Sequence, residues 1–142
     1  MRTTVTSLPI YSIRQRKDRI DPKPQYQRGP VWPDDKKQLL IDTIIRSYDI
    51  PKFYLRMLDN CDYDSEVVDG QQRLRAIWSF MNNEFPLGHH SKDIDGHDLE
   101  GKFFQELSSE FQDKIGSFSL CLWKTRKIIG RPGFDLYNRY IR

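Results

Sequence analysis

Hydrophobic and polar positions change period along the chain, and this change predicts a mixed α/β fold. Apolar residues recur every three or four positions in segments 40–48 and 74–81. That spacing places each set on one face of a helix. Segments 53–58 and 66–68 are short and rich in β-branched and aromatic residues, which is typical of strands. Helices should therefore pack on a small mixed sheet.

Start and stop signals bound the two longest helices. Pro33 suits the first helical position, and Asp34 and Asp35 follow in the turn where the helix dipole favours acidic side chains. The sequence Asp49-Ile50-Pro51 is expected to end this helix, with Tyr48 on its apolar face. The second helix is predicted to run from Gln71 to about Asn82.

The remaining chain predicts shorter elements within a single domain spanning 1–142. Residues 7–20 form an apolar and basic lead-in, and the proline-rich segment 21–31 must be extended or looped. Three more elements follow: a small hairpin in 84–104, a helix from Ser108 or Ser109 to Ile115, and a strand from Phe118 to Trp123. The basic segment 124–142 is interpreted as a tail, a truncated continuation of the domain.

Composition indicates a cytoplasmic globular protein. The chain has 142 residues, of which 37% are hydrophobic and 30% charged, enough for one hydrophobic core. Its apolar runs are too short for a membrane span, and no signal peptide is recognisable at Met1. Cys61 and Cys121 match no metal-binding spacing and are interpreted as reduced thiols, with Cys121 in the core.

The net charge of +3 comes from the end of the chain. From Lys124 onward there are six basic residues against Asp135 alone, so the rest of the chain has seventeen basic and nineteen acidic residues. A broad DNA-binding surface would reverse that balance. Any contact with nucleic acid must therefore depend on a local cluster, either the tail or the group Arg14, Arg16, Lys17 and Arg19.

The Asp69–Arg73 turn, with the sequence Asp-Gly-Gln-Gln-Arg, is the leading candidate for chemistry. It lies between a predicted strand and a predicted helix, whose first backbone N–H groups attract anions. Gly70 lets a ligand approach the backbone, and Arg73 offers a planar fork for phosphate oxygens. The alternative interpretation is structural, because Asp69 can cap a helix and glycine is common in turns.

A second candidate is the aromatic and basic loop 26–32. Arg28 could reach a ligand from this loop, whereas Trp32 is interpreted as packing at the helix start. The alternative is a surface loop stiffened by proline. His89, His90 and His97 lack the partners and spacing of a zinc site and are predicted to be exposed loop residues.

The order of these two motifs resembles the N-terminal domain of GmrSD-type restriction endonucleases. The matching residues are Tyr26-Gln27-Arg28 with Val31-Trp32, then 40–44, Ile50-Pro51, and Val68 to Leu74. The resemblance is best over residues 20–82 and is faint over 134–139, where the family continues further. That family is in turn similar to the N-terminal domain of ParB partition proteins and to sulfiredoxin, which implies a ParB-like fold.

The resemblance implies a role in bacterial defence against foreign DNA. Family members pair a domain credited with nucleoside-triphosphate binding and hydrolysis with a C-terminal nuclease domain. By comparison with ParB, Gly70 and Arg73 would contact phosphate, with Arg28 reaching in from the first motif. Sulfiredoxin activity is not expected, because Gln71 and Gln72 stand where that chemistry needs a cysteine.

Two hypotheses about function follow. The first is a Mg²⁺-dependent nucleoside triphosphatase coupled to a nuclease domain or to a nuclease subunit supplied in trans. The second is a non-catalytic module that senses a nucleotide or modified DNA. Nucleotide and DNA are the expected partners, without membrane association. The predicted catalytic residues are Asp69, Gln72 and Arg73, with Asp69 also holding Mg²⁺; the predicted nucleotide-binding residues are Gln27, Arg28, Gly70, Gln71, Arg73 and Arg75.

Overall fold

The structure, a computed structural model, describes residues 2–22, 31–59 and 62–126. The described strands are β1 (Arg2–Pro9), β2 (Ile20–Asp21), β3 (Phe53–Met57), β4 (Ser65–Asp69) and β5 (Ser119–Arg126). The described helices are α1 (Ile10–Gln15), α2 (Asp34–Ile45), α3 (Gln71–Met81) and α4 (Ser109–Gly116). The predicted mixed α/β class is confirmed.

The chain separates into two compact units. The sheet unit contains the described parts of 1–28, 51–71 and 119–142. Its five strands lie in the order β1-β5-β3-β4-β2. β3 pairs in parallel with β5 and antiparallel with β4, while β1 is antiparallel to β5 and β2 is parallel to β4.

One face of the sheet is packed against α1. Leu55 and Leu122 point to this face, and Ile13 of α1 lines the same cavity wall. Leu55, Leu122 and Ile13 are all buried, as is Ile10 of the same helix. Alternate residues of β3 and β5, including Tyr54 and Trp123, point to the opposite face, since successive strand side chains alternate. We call these the α1 face and, as a label only, the open face; Thr125 and Glu66 on that second side are buried.

The interpretation of 7–20 as a lead-in was wrong about its start, because Ser7 to Pro9 complete β1. The packing of Ile10, Ile13 and Ile20 is confirmed. β1 is an edge strand whose residues are largely exposed, so it lacks a strong apolar alternation. Its partner β5 lies at the other end of the described chain, and such a pairing leaves no local signal.

The helical unit contains 29–50 and 72–118, of which all but 29 and 30 are described. Its core is formed by one face each of α2, α3 and α4. The largest fully buried side chains of this unit are Ile41, Ile44, Ile45, Ile77, Phe80, Met81, Leu87, Ile94 and Ile115. The helical periods predicted for these segments are therefore confirmed.

α2 ends earlier than predicted, and Tyr48 is 62% exposed instead of packing on the apolar face. The reason is local: Ser47 adopts a positive φ of 62°, and the Tyr48 N–H bonds to the Thr43 carbonyl across this reversal. The chain thus leaves the helical path before Tyr48 can join the buried face.

The hairpin predicted for 84–104 was largely wrong. Only one antiparallel bridge forms, between Ile94 and His97, around Asp95 and Gly96. The rest consists of turns, including short 3-10 helices at His89–Ser91 and Phe104–Glu106. Aromatic and aliphatic side chains from these turns fill the core, so burial here does not require strand pairing.

A polar network fixes the 89–93 segment to α2. The buried Asp42 carboxylate accepts hydrogen bonds from Arg46 Nε and Ser91 Oγ, both at 2.9 Å. Arg46 Nη2 donates to the carbonyls of His90, at 3.1 Å, and Asp93, at 3.0 Å. The hydrogen bond to Asp42 raises the pKa of Arg46. One guanidinium therefore ties a helix side chain to two backbone groups of a turn.

The cysteines and the apolar character of the helices can be compared with the sequence predictions. Cys121 is a free, half-buried thiol and not the core residue predicted, while Cys61 lies outside the described residues. Among the helices described, none has the length and apolar character that crossing a membrane would require.

We predict that Asp42→Ala lowers the free energy of unfolding by about 1–3 kcal/mol, because it leaves buried hydrogen-bond donors without their acceptor. Urea denaturation followed by circular dichroism measures this change. Ser91→Ala should also destabilise, and the double variant should lose less than the sum, since both changes remove the same bond. Strictly additive losses would contradict the network.

Candidate functional site

The predicted strand, turn and helix around Gly70 are present. β4 ends at Asp69, α3 begins at Gln71, and Gly70 alone joins them. Gly70 has a φ of 105°, a conformation that side chains with a Cβ rarely adopt. It is also buried. The glycine is thus required by the backbone, which must turn from strand into helix within one residue.

The side chain of Gln71 secures this turn. Gln71 is 1% exposed, and its Nε2 donates to the carbonyls of Val67, at 3.0 Å, and Val68, at 3.1 Å. The first residue of the helix therefore bonds back to the end of the strand that precedes it. This amide positions the turn and its backbone N–H groups.

A β-bulge sets the direction of Asp69. Tyr54 of β3 pairs with Asp69, whereas the next residue, Leu55, pairs with Val67. Val68 is consequently the extra residue of β4. Bulges of this kind re-aim the side chain that follows them. Here the bulge places Asp69 on the open face with Tyr54, instead of on the α1 face with Val67.

Asp69 lies in a row of side chains across the open face. Tyr54 pairs with Asp69 on one side and with Trp123 on the other. The rings of Tyr54 and Trp123 are 5.8 Å apart at an angle of 49°, and the Lys52 Nζ lies 4.8 Å from the Trp123 ring centroid. Tyr54, Asp69 and Trp123 are all half-buried. A carboxylate and two aromatic rings thus share one row.

The other predicted site residues follow in α3 or lie elsewhere. Gln72, Arg73 and Arg75 fall in the first turn and a half of the helix, and each is half-buried. Gln27 and Arg28 lie outside the described residues, so the expected pairing of Arg28 with the turn stays a prediction.

Comparison with known proteins decides the family. The protein-family model described as GmrSD restriction endonuclease, N-terminal domain, matches residues 10–128 of the chain. The chain belongs to this family. No curated protein and no solved structure gave a match.

The GmrSD N-terminal domain match is wider than the 20–82 region that the two motifs indicated. It includes α1 at one end and β5 at the other, whereas the edge strand β1 lies before its first residue. Membership makes the chain a component of a restriction system. The likeness to ParB and sulfiredoxin stays a prediction.

Sequence reasoning missed a basic cleft on the α1 face of this GmrSD domain. The cleft has a volume of about 350 Å³. Its apolar lining is Leu8, Ile13, Ile20, Leu55, Met57, Leu58 and Leu122; its polar lining is Arg16, Arg19, Asp64, Ser65, Lys124 and Arg126. Arg16 and Arg19 belong to the basic cluster noted in the sequence, but Lys124 and Arg126 were interpreted as a tail. They are part of β5.

Asp64 pairs with one of the basic side chains of the cleft. Its carboxylate accepts a hydrogen bond from Arg19 Nη2 at 2.8 Å. This bond lowers the pKa of Asp64, and Arg16 and Lys124 lower it further through their charges. Arg126 lies 3.5 Å from Asp59. Four basic side chains thus converge where only Asp64 is acidic among the lining residues.

The sequence did not indicate that two of the histidines have an acidic neighbour. Asp35 of α2 lies 3.8 Å from His89 Nδ1 and 3.7 Å from His90 Nε2. His90 is also mostly covered, with 18% of its side chain exposed. His97 is exposed as expected. Asp35 is distant in sequence, so the spacing of the histidines could not reveal it.

We predict that Gly70→Ala lowers the free energy of unfolding by more than about 1 kcal/mol, since the backbone there has a positive φ. Thermal and urea denaturation measure the loss. Gly96→Ala is the matched control, because Gly96 has a φ of 83° and open space around the position of a Cβ. Gly96→Ala should show backbone strain alone. A Gly70→Ala variant as stable as the wild type would contradict the assignment.

Proposed function

We propose that the chain binds a nucleoside triphosphate at the Asp69–Arg73 turn and hydrolyses it with Mg²⁺. The observation that carries this proposal is the single-residue turn at Gly70, which brings the end of a strand directly to the start of a helix. We place this activity in the cytoplasm of a bacterium, as part of a restriction system against foreign DNA.

Phosphate binding at the turn rests on the backbone. The first N–H groups of α3 have no partners within the helix and carry partial positive charge. Gly70 has no side chain to block an approach to them. Arg73 and Arg75, in the same helical segment, supply positive charge for the phosphate oxygens. Gln71 contributes by holding the turn, given its bonds to β4.

Hydrolysis would depend on Asp69 and Gln72. Mg²⁺ prefers oxygen ligands and keeps several waters, so one carboxylate beside a triphosphate is a sufficient protein ligand. Asp69 is assigned this role. Gln72 can orient the attacking water, because its amide both donates and accepts hydrogen bonds. Phosphoryl transfer needs mainly such positioning and charge neutralisation.

The aromatic pair supports a nucleotide over inorganic polyphosphate. Neighbouring strands are about 4.8 Å apart, so Trp123 lies roughly 10 Å from Asp69 across β3. A base stacked on Trp123 or Tyr54 could then have its phosphates near Gly70. Stacking of this kind tolerates any base. The preferred base is left open by this arrangement.

We predict that Asp69→Asn lowers kcat for triphosphate hydrolysis by about 100-fold or more, since it removes the charge that holds Mg²⁺. The test measures phosphate release from each common nucleoside triphosphate by the full chain with Mg²⁺. Arg73→Ala should reduce both kcat and affinity. Trp123→Ala should raise KM with little change in kcat.

The control is Lys102→Ala, an exposed change in the helical unit. Turnover that is equal in the wild type and in Asp69→Asn would refute hydrolysis at this turn. Binding that depends on Arg73, without any turnover, would instead establish the alternative of a nucleotide-sensing module that signals to a nuclease domain or subunit.

The basic cleft favours a second function, contact with DNA. Four basic side chains line this cleft and give the sheet unit a local basic surface: Arg16, Arg19, Lys124 and Arg126. Contacts of this kind to the phosphate backbone supply affinity without reading sequence. The cleft lies on the α1 face, whereas Asp69 lies on the open face, so DNA and nucleotide would not compete for the same side chains.

We predict that Arg16→Glu combined with Lys124→Glu weakens binding of a short DNA duplex. In a plot of the logarithm of the binding constant against the logarithm of salt concentration, the negative slope should become less steep by about two, one for each lost phosphate contact. Fluorescence anisotropy at several salt concentrations measures it. Lys17→Glu is the matched control, because Lys17 neighbours Arg16 but does not line the cleft. Equal weakening by both changes would argue against the cleft.

A further inference from the structure

We infer that Asp35, His89 and His90 form a binding site for a divalent transition-metal ion of the Zn²⁺ class. The site belongs to the helical unit and does not depend on the proposed nucleotide site. One ligand atom from each residue lies within 4.8 Å of the other two. Two imidazole nitrogens and one carboxylate are a ligand set that Zn²⁺ and Fe²⁺ use when a coordination position is left open.

The distances fit metal ligands better than hydrogen bonds. Asp35 Oδ1 lies 3.8 Å from His89 Nδ1 and 3.7 Å from His90 Nε2, both beyond hydrogen-bond reach. Two ligands each about 2.1 Å from a tetrahedral zinc ion are about 3.4 Å apart. Asp35 and His89 have room to close this gap, since their side chains are 68% and 69% exposed.

The two rings already share one orientation. The His89 and His90 ring centroids are 4.0 Å apart, with 31° between the ring planes. Both rings present a nitrogen to the same Asp35 oxygen. A single cation placed among these three atoms would therefore have two imidazole nitrogens and one carboxylate oxygen as ligands.

His90 is the fixed ligand of the three. Its Nδ1 is buried and has no hydrogen-bond partner among the described residues, so this nitrogen is not solvated and the ring is covered on that side. Nε2, on the other side of the ring, is the nitrogen that faces Asp35. The His90 carbonyl accepts a hydrogen bond from Arg46, which fixes its backbone to α2.

The segment that carries the histidines is held on both sides. Ser91, next to His90, bonds to the buried Asp42. Gly88, next to His89, lies so close to α2 that an added Cβ would come within 2.4 Å of Gln38 Oε1. Gln38 Nε2 also donates to the Pro86 carbonyl at 3.2 Å. With the backbone of this segment held in place, only side-chain movement of Asp35 and His89 is needed to bind an ion.

The experiment titrates Zn²⁺ into the full chain, prepared without a histidine tag and dialysed against a chelator. Competition with a chromophoric chelator gives affinity and stoichiometry, and thermal denaturation gives the stabilisation. We expect one ion per chain and a melting temperature that rises with Zn²⁺, since binding to the native state stabilises it. Asp35→Asn and His89→Ala should each weaken binding by at least about tenfold.

Matched controls separate this site from others. Asp34→Asn changes the neighbouring exposed carboxylate, and His97→Ala removes an exposed histidine of the same unit; both should bind Zn²⁺ as the wild type does. Asp69→Asn should also leave Zn²⁺ binding unchanged, whatever its effect on nucleotide hydrolysis. The inference is overturned if Asp35→Asn and His89→Ala retain wild-type affinity, if the controls lose it equally, or if the wild type binds no Zn²⁺.

Discussion

The central position of β3 determines where the candidate ligand surfaces of the sheet unit lie. β3 forms backbone hydrogen bonds on both edges, in parallel with β5 and antiparallel with β4. Tyr54 is thereby set between Trp123 and Asp69 on the open face. The next residue, Leu55, is set between Lys124 and Val67 on the α1 face. Because successive side chains of a strand alternate, one strand assigns the aromatic row to one face and the basic cleft to the other.

Local patterns in the sequence predicted much of the fold. The apolar periods of α2 and α3, the aromatic residues of β3 and the β-branched residues of β4 each arise within a few residues, where propensity and burial agree. β1 was not predicted, because its residues are largely exposed and its partner is distant in sequence. The early end of α2 was also missed, since a positive φ at Ser47 has no composition signal as strong as glycine.

The candidate site residues, too, could be predicted only in part from the sequence. The Asp69–Arg73 turn could be singled out because its candidate residues are consecutive, and it lies within the residues that the family match covers. The structural role of the Gln71 amide could not be predicted, because a glutamine side chain can form hydrogen bonds with the backbone or with a ligand equally well. Asp35 with the two histidines, and Arg16 with Lys124, are neighbours only in space. Single-sequence spacing carries no information about such pairs.

The bulge at Val68 has a consequence for comparing members of this family. In a regular strand, residues separated by an even number of positions point to the same side, so Ser65, Val67 and Asp69 would all point to the α1 face. The extra residue reverses this parity, and the carboxylate avoids the apolar interior. A relative that lacked one residue between Glu66 and Asp69 could therefore keep the acidic side chain on the same side without any bulge. A one-residue gap in an alignment at this point would then distinguish a bulged strand from a regular one. Both would place the acidic side chain on the same face, so the gap would not mean that the motif is lost.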